Sequence, residues 1–302
     1  MRRTSSRPDS RRANGARRPV SGKDEPRATH PALTDKEIAQ VGRLIYRWTG
    51  MIFGENKRYY IERRIGERMA RSRMADVATY LGFAGSHLDE REALINAFTI
   101  NETYFYREEH QLQALSAQIL PEIVRSKRPG DAVRIWSMPC STGEEGYSIA
   151  IWLLENWSMV DAYNVEIVGS DVDTAALRHA REGRFGTRSL ARLPAKVVDA
   201  YFEGERGHRR KIIDDLRESV RFAPANIVDR ASLAALGRFD VILCRNLLIY
   251  FDDEARRLAV SNLYHSLNPG GFICLGHSES MTRITDLFEL VRLEGAIVYR
   301  KP

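Results

Sequence analysis

The strongest constraint on the fold is an alternation of short apolar runs with helical patterns, which begins near residue 130. Runs of β-branched and aromatic residues indicate buried strands, and the segments between them have the apolar periodicity of helices. The runs lie at 133–137, 165–170, 220–223, 239–244 and 272–276. Strands that alternate with helices predict an α/β fold with a parallel, doubly wound sheet. Strand-like residues at 296–300 then fit an antiparallel edge.

The segment before residue 100 has helical periodicity and no strand-like run. Thr34 and Glu37 have the spacing of a capping box, and apolar residues then recur every three to four positions. We therefore predict a small all-helical domain over residues 31–98 and a sheet-containing domain over residues 99–302.

The strand–helix alternation is interrupted over residues 183–219. Tyr201 and Phe202 precede a Gly- and Arg-rich loop, and further short apolar segments follow it. We predict an inserted antiparallel β-subdomain here, at about residues 200–222.

The positive charge of the chain is concentrated at its N-terminus. Residues 1–30 contain nine basic and three acidic residues, which accounts for the whole formal net charge of +6. This segment has no aromatic residue, and its composition predicts a disordered basic tail. Such a tail can bind nucleic acid or anionic lipid, but we favour a solubilising extension, which needs no partner.

The composition also indicates in which cellular compartment the protein works and whether it binds a metal. The N-terminus is Arg-rich without the apolar core of a secretory signal, and no stretch approaches the roughly 18 to 20 apolar residues of a membrane span. Cys140, Cys244 and Cys274 lie far apart, which suits buried thiols in a reducing cytoplasm. No cluster of His, Cys and carboxylate residues has metal-ligand spacing. We therefore expect a cytoplasmic protein without a metal.

The turn after the first strand indicates the kind of ligand, because ligands of open α/β sheets lie at the carboxyl ends of the strands. Small residues lead directly to Glu144 and Glu145 at the start of the next helix. The turn lacks G-x-G-x-x-G, and two carboxylates would repel phosphates, which argues against NAD or ATP. A ligand with a cationic amino acid end and no phosphate, such as S-adenosylmethionine, fits better. A plain helix start would explain the same residues.

Polar residues also follow the next three strands. Asp171 ends the second run, where an acidic residue usually binds ribose hydroxyls, although it could instead cap the following helix. Asn226 follows the third run and suits either the edge of an adenine or a turn. Arg245 and Asn246 follow the fourth run and lead to Tyr250, where a catalytic loop would lie. Tyr250 could equally be a half-buried loop aromatic, but the four strand ends together indicate a nucleoside-binding site.

Four blocks of the sequence stand out as motifs. They are WSMPCSTGEEGYSIA at Trp136–Ala150, Thr99–Thr103 with Phe105 and Arg107, Cys244–Asn246 running on to Tyr250 and Phe251, and Gly276–Ser280. These blocks resemble the signatures of the chemotaxis-receptor methyltransferase (CheR) family. They follow the family's order between about residues 35 and 300, and the agreement of several separate motifs makes the resemblance specific.

The resemblance implies a Rossmann-like class I methyltransferase that uses S-adenosylmethionine, releases S-adenosylhomocysteine and acts as a monomer. The implied acceptors are glutamate side chains in the cytoplasmic helices of chemoreceptors, which become methyl esters; nucleic acid is not an expected partner. Arg107 and Tyr250 would face the transferred methyl group. The implied cofactor-binding residues are Asn101, Thr103, Arg107, Glu145, Asp171, Asn226, Ile227, Arg245 and Asn246.

The resemblance also assigns a role to the basic second helix, which would attract an acidic receptor helix; a solvated helix face is the alternative. The residues of this docking surface would be Lys57, Arg64, Arg68 and Arg71. No general base is expected, because a glutamate with a pKa of about 4.3 is already ionised at neutral pH. Arg107 is expected to orient that carboxylate, since a planar guanidinium suits two oxygens.

Three residues depart from the family pattern. Met138 and Pro139 stand where small residues are usual, and Gly146 replaces a proline. Because Pro139 has no N–H, it removes a backbone donor near the ligand and brings the affinity for the cofactor into question. His277 is expected to hydrogen-bond with Ser278 or Glu279 and so to hold its loop.

Two other functions fit the sequence. The acceptor could be RNA or a small molecule, although the segment CRNLLIYF lacks the Asn/Asp-Pro-Pro-aromatic loop of base amine methyltransferases. The chain could also be a catalytically degenerate module that binds S-adenosylmethionine in a signalling role, and Pro139 is the residue that supports this alternative.

Overall fold

The structure is a computed structural model that describes residues 32–54, 57–204 and 208–302. The basic tail predicted over residues 1–30 lies outside the described residues. None of the helices in the described ranges is both long and apolar enough to cross a membrane.

Helices alone make up the N-terminal part of the described chain. They are α1 (Asp35–Thr49), α2 (Arg58–Arg71), α3 (Val77–Ser86) and α4 (Leu88–Phe98). The predicted capping box is confirmed, because Thr34 Oγ1 accepts from the N–H of Glu37 while the Glu37 carboxylate accepts from the N–H of Thr34. The helices pack around fully buried side chains that include Ile45, Ile61 and Phe98.

A helical connection leads from this unit to two sheets. It consists of α5 (Glu109–Ala114), a π-helical segment (Leu115–Ile119) and α6 (Leu120–Val124). The strands are β1 (Ala132–Ser137), β2 (Asn164–Asp171), β3 (Arg184–Gly186), β4 (Phe202–Gly204), β5 (Arg209–Ile212), β6 (Val220–Pro224), β7 (Phe239–Cys244), β8 (Leu267–Leu275), β9 (Glu289–Leu293) and β10 (Ala296–Arg300). The helices between them are α7 (Glu144–Asn156), α8 (Thr174–Glu182), α9 (Thr187–Leu190), α10 (Ala195–Tyr201), α11 (Asp214–Ser219), α12 (Arg230–Ala234) and α13 (Asp253–Ser266).

The main sheet has seven strands in the order β6-β2-β1-β7-β8-β10-β9. The five strands from β6 to β8 pair in parallel, and β10 pairs antiparallel with β8 and with β9. These parallel strands are the five apolar runs of the sequence, so the predicted doubly wound sheet and its antiparallel edge are confirmed. The long apolar runs follow from burial of a parallel sheet on both faces.

A second, smaller sheet is antiparallel, with the order β3-β5-β4. An inserted antiparallel unit was expected, but it begins earlier than residue 200, because β3 supplies one edge. The end of the predicted range, Val220–Pro224, belongs instead to the main sheet, where β6 pairs with β2.

The N-terminal helices meet the main sheet at the carboxyl ends of its strands. Met51 forms an antiparallel bridge with Phe251, and the N–H of Ile52 donates to the carbonyl of Tyr250 at 2.9 Å. Nearby, Asn226 Nδ2 donates to the carbonyl of Trp48 at 2.6 Å. A cleft lies between the helices and the strand ends.

Candidate active site

The cleft at the strand ends has a volume of about 840 Å³, including space open to solvent. Its walls come from the end of α1, the segment 99–107 and the residues that follow β1, β2, β6 and β7. It brings together all the residues that the sequence analysis assigned to cofactor binding, and it also includes Tyr250. Those residues are Asn101, Thr103, Arg107, Glu145, Asp171, Asn226, Ile227, Arg245 and Asn246.

A buried ion pair forms the floor of the cleft. Glu145 lies in the first turn of α7, which begins after Gly143 in the left-handed conformation (φ 97°). Its carboxylate accepts from Arg245 Nε and from Ser137 Oγ, both at 2.7 Å. Arg245 also donates through Nη1 to the carbonyl of Arg107 at 2.9 Å and lies 3.8 Å from the Glu108 carboxylate.

The two charged side chains of this pair are 4% and 10% exposed. A buried guanidinium flanked by two carboxylates offsets part of the cost of desolvating each charged group. Arg245 is therefore committed to protein groups, whereas Glu145 retains lone pairs for a cationic group in the cleft.

Asp171 ends β2 and faces the same cleft. Its carboxylate accepts from the N–H of Ser141 at 2.8 Å and from the N–H of Asp173 at 2.9 Å. Burial raises the pKa of Asp171 to about 6, although these hydrogen bonds oppose the shift. The alternative that Asp171 caps α8 is wrong, because the N-cap is Asp173, which accepts from Ala175 and Ala176. Since a carboxylate can accept about four hydrogen bonds, Asp171 retains capacity for hydroxyl donors.

Asn101 braces one wall of the cleft. Its Nδ2 donates to Asp173 at 2.6 Å, and its Oδ1 accepts from Ser141 Oγ at 3.1 Å. Thr99 Oγ1 donates to the same Asp173 carboxylate. These hydrogen bonds connect the segment 99–101 to the turns after β1 and β2. The sequence analysis did not identify Asp173 as the acceptor of two of them. A direct contact between Asn101 and a cofactor stays a prediction.

Asn226 acts as a turn former, which was one of its two interpretations. Its Nδ2 donates to Trp48 O, and its Oδ1 accepts from the N–H of Val228 at 3.2 Å. Each end of the amide makes one hydrogen bond within the protein, which leaves one N–H of Nδ2 and one lone pair of Oδ1, so a contact with an adenine stays a prediction. Asn226 and the adjacent Ile227 still line the cleft.

Arg107 and Tyr250 both line the cleft and are half-buried. Arg107 is flanked by two residues with left-handed backbones, Tyr106 (φ 56°) and Glu108 (φ 54°), and its Nη1 donates to the carbonyl of Glu102 at 2.7 Å. Burial raises the pKa of the Tyr250 hydroxyl, although the charge of Arg107 opposes this shift. The hydroxyl of Tyr250 is therefore protonated at neutral pH and can donate a hydrogen bond.

Glu279 does not line the cleft but binds the backbone of a loop that does, and the sequence analysis gave it no such role. Its carboxylate accepts from the backbone N–H groups of Asn246 and Leu248 at 2.7 Å and of Leu247 and Gly276 at 2.9 Å. Burial raises its pKa, and the same four hydrogen bonds oppose the shift. Its position after β8 could have indicated this place, because the carboxyl ends of neighbouring parallel strands meet at one edge of the sheet.

The expectation for His277 is wrong. Its Nδ1 pairs with Glu108 Oε1 at 2.9 Å rather than with Ser278 or Glu279. His277 therefore tethers the loop after β8 to the start of α5, while Glu279 holds the loop after β7.

The four basic residues predicted to form a docking surface on α2 do not share one environment. Arg68 Nε and Nη2 bind the Glu90 carboxylate at 3.0 and 2.5 Å, and the Tyr80 hydroxyl donates to the same carboxylate at 2.7 Å. Arg68 is therefore removed from the docking surface, because it neutralises a buried carboxylate between α2 and α4. Arg71 is exposed.

The other two predicted docking residues lie close to aromatic rings. Arg64 lies 5.1 Å above the ring of Tyr60 and 3.6 Å from Glu67, and neither Arg64 nor Tyr60 lines the cleft. Lys57 Nζ lies 5.8 Å from the ring centroid of Tyr250, so it brings positive charge close to a residue of the cleft.

The departures from the family pattern lie in the turn between β1 and α7, which contains Met138 and Pro139, and in the first turn of α7, which contains Gly146. Met138 and Pro139 both line the cleft. The neighbouring donors are used within the protein, because the N–H of Met138 donates to Leu243 O at 2.9 Å and that of Cys140 to Ser170 O at 2.8 Å. A Cβ at Gly146 would lie 3.1 Å from Val220 Cγ1, which accounts for a small residue there. No group of three or more His, Cys, Asp or Glu residues within the described ranges could hold a metal ion.

Comparisons with known proteins give a consistent result. The family model for the CheR methyltransferase SAM binding domain matches residues 101–297, and that for the CheR methyltransferase all-alpha domain matches residues 36–99. Chemotaxis protein methyltransferase 2 of Vibrio cholerae is 45% identical over 273 residues, which cover 89% of this chain and 94% of that protein. Chemotaxis protein methyltransferase of Vibrio parahaemolyticus is 34% identical and covers 89% of this chain and 98% of its own.

Among solved structures, the N-methyltransferase NodS from Bradyrhizobium japonicum in complex with S-adenosyl-L-homocysteine is 16% identical. The match covers 71% of this chain and 96% of that one, with a TM-score of 0.37. A similarity this low has no bearing on the function of this chain.

Proposed function

This chain belongs to the CheR methyltransferase family, and we propose that it transfers the methyl group of S-adenosylmethionine to glutamate side chains of chemoreceptors. It is an S-adenosylmethionine-dependent methyltransferase of chemotaxis. The observation that carries the acceptor proposal is that Arg107 and Tyr250 line the same cleft as the buried carboxylates of Glu145 and Asp171. The proposed partners are the cytoplasmic helices of chemoreceptors.

The charges of the cleft fit S-adenosylmethionine, because the carboxylates of Glu145 and Asp171 line it. Glu145 would hold the cationic amino group and Asp171 the ribose hydroxyls, because both carboxylates are buried and keep lone pairs free. When bound, the cofactor supplies a methyl group on a cationic sulfur.

The residues of the protein then have to position and desolvate the acceptor. A glutamate carboxylate with a pKa of about 4.3 is ionised at neutral pH and needs no base. The guanidinium of Arg107 would bind this carboxylate, and the hydroxyl of Tyr250 would donate to one of its oxygens. Correct placement of two reactants can lower a barrier by roughly 7 to 11 kcal/mol. Exclusion of water helps further, because the reaction neutralises two opposite charges.

The acceptor is tested by locating the new methyl groups. Receptor membranes are incubated with the protein and S-adenosylmethionine, and tryptic peptides of the receptors are sequenced by mass spectrometry. We expect methyl groups on glutamate side chains and none on lysine, arginine or the receptor's termini. Methylation confined to another residue type would contradict the proposed acceptor.

Replacement of Tyr250 by Phe tests the hydroxyl. We expect kcat to fall about tenfold or more, since a hydrogen bond to a charged group contributes about 1.5 to 3 kcal/mol. The Kd of S-adenosylhomocysteine should stay near that of the wild type. Tyr163→Phe, in a residue outside the cleft, serves as the control. Unchanged turnover in Tyr250→Phe would remove the hydroxyl from the mechanism.

The affinity for the cofactor should depend on pH through Asp171. Its pKa of about 6 lies above the usual value of 3.8, so the carboxyl gains a proton as the pH falls through 6 and then accepts hydrogen bonds less well. We expect the Kd of S-adenosylhomocysteine, measured by calorimetry, to rise below pH 6. Asp171→Asn should bind weakly at every pH and lose this dependence. The same inflection in the Asn variant would assign it to another group.

A further inference from the structure

The loop that follows β7 is held partly by its neighbours, because the N–H of Ile52 donates to Tyr250 O and Arg256 Nε donates to Leu248 O, both at 2.9 Å. It runs from Asn246, which has a left-handed backbone (φ 59°), to a short 3-10 helix at Leu248–Tyr250. Asn246 and Tyr250 line the cleft at opposite ends of this segment. The position of Tyr250 therefore depends on these contacts and also on what holds the backbone of residues 246–248.

The Glu279 carboxylate holds that backbone from the neighbouring strand end. One oxygen, Oε1, accepts from the N–H groups of Leu247 and Leu248 at 2.9 and 2.7 Å. The other, Oε2, accepts from Asn246 at 2.7 Å and from Gly276 at 2.9 Å. One carboxylate thus satisfies three consecutive N–H groups of the loop, and the bond to Gly276 anchors it to the end of β8.

Glu279 lies so close to Gly276 that a side chain at position 276 would collide with its carboxylate. A Cβ placed on Gly276 would lie 2.8 Å from Glu279 Oε2 and 2.9 Å from Asn246 Nδ2. The absence of a side chain at Gly276 is therefore what allows the two loops to meet. The carboxylate itself makes no ion pair within the described residues, so its partners are backbone N–H groups.

We propose that Glu279 is a positioning residue for methyl transfer, which sets the place of Tyr250 by binding the backbone of residues 246–248. This inference rests on the proposed role of Tyr250. Glu279 does not line the cleft, so it acts through the loop rather than on a reactant. The loop also carries the bridge between Phe251 and Met51, so Glu279 couples the end of β8 to the position of the N-terminal helices.

Glu279→Gln is the sharpest test, because it keeps the shape and replaces one oxygen by an amide NH₂. Two of the four N–H groups then face a donor and lose their acceptor. We expect kcat to fall about tenfold to a hundredfold, the effect typical of a misplaced catalytic group. The Kd of S-adenosylhomocysteine should rise by a smaller factor, because Asn246, which lines the cleft, is held by the same carboxylate. Glu279→Asp keeps both oxygens and should recover part of kcat. Glu289→Gln, on exposed β9, is the matched control and should behave as the wild type.

A double variant distinguishes positioning from a general loss of structure. If Glu279 acts through Tyr250, Glu279→Gln should cost clearly less in a Tyr250→Phe background than in the wild type, because the two changes affect one element. The proposal would be overturned if the effects of Glu279→Gln and Tyr250→Phe on kcat were additive. It would also be overturned if Glu279→Gln lowered kcat and the affinity for the cofactor equally, or if this variant folded and kept full activity. Turnover of the wild type on receptor membranes in the same assay separately tests the proposed function.

Discussion

Replacement of Arg245 by Met is expected to destabilise the protein by about 3 to 5 kcal/mol, which is the usual cost of breaking a buried ion pair from one side. Arg245 is the cation between Glu145 and Glu108, and its side chain is only 4% exposed. Its removal leaves the Glu145 carboxylate buried without a counter-charge. Equilibrium unfolding in urea at neutral pH measures the loss.

Two further variants make this result specific. Arg188 pairs with Glu102 at 3.1 Å, but the two side chains are 91% and 70% exposed, so Arg188→Met should change stability by less than about 1 kcal/mol. Adding Glu145→Gln to Arg245→Met should restore part of the loss, because it removes the unpaired charge. If Arg245→Met were as stable as the wild type, the buried pair would not hold the floor of the cleft.

Replacement of Arg107 by Ala should lower kcat about a hundredfold, because the acceptor carboxylate loses the group that orients it. The backbone of Arg107 would remain in place, since its carbonyl accepts from Arg245. We therefore expect the Kd of S-adenosylhomocysteine to change much less than kcat. Arg107→Lys should recover only part of the rate, because an ammonium lacks the planar fork.

Arg192 provides a matched control for this change. The guanidinium carbons of Arg107 and Arg192 both lie 5.9 Å from the ring centroid of Tyr104, but Arg192 does not line the cleft. Arg192→Ala should therefore retain nearly full turnover. A similar loss in both variants would assign the effect to the surroundings of Tyr104 and not to the acceptor.

The sheet could be predicted from sequence because its strands are buried on both faces. Phe239–Cys244 is apolar at nearly every position and is buried throughout, so it forms a run that no exposed segment would contain. The place of the site followed from the same reasoning. Parallel strands bring their carboxyl ends to one edge, which is why Asp171, Asn226 and Arg245 share a cleft although they are distant in sequence.

The partners of individual polar groups could not be predicted in this way. Arg68 has the helical spacing of a surface residue, but its partner Glu90 lies 22 positions away on another helix. Asn226 follows a strand as a ligand-binding residue would, yet its amide is used by Trp48, 178 positions away. Such pairings depend on how separate elements pack, and the periodicity of a sequence reports only which face a residue occupies.

Transfer of the methyl group to a carboxylate is tested most directly by the release of methanol. The protein is mixed with methyl-labelled S-adenosylmethionine and membranes that carry chemoreceptors, and the washed membranes are treated with base. Glutamate methyl esters hydrolyse under these conditions, so the account predicts volatile, labelled methanol, with much less from Arg107→Ala. Label that stays on the receptors after base, or moves to RNA, would contradict it.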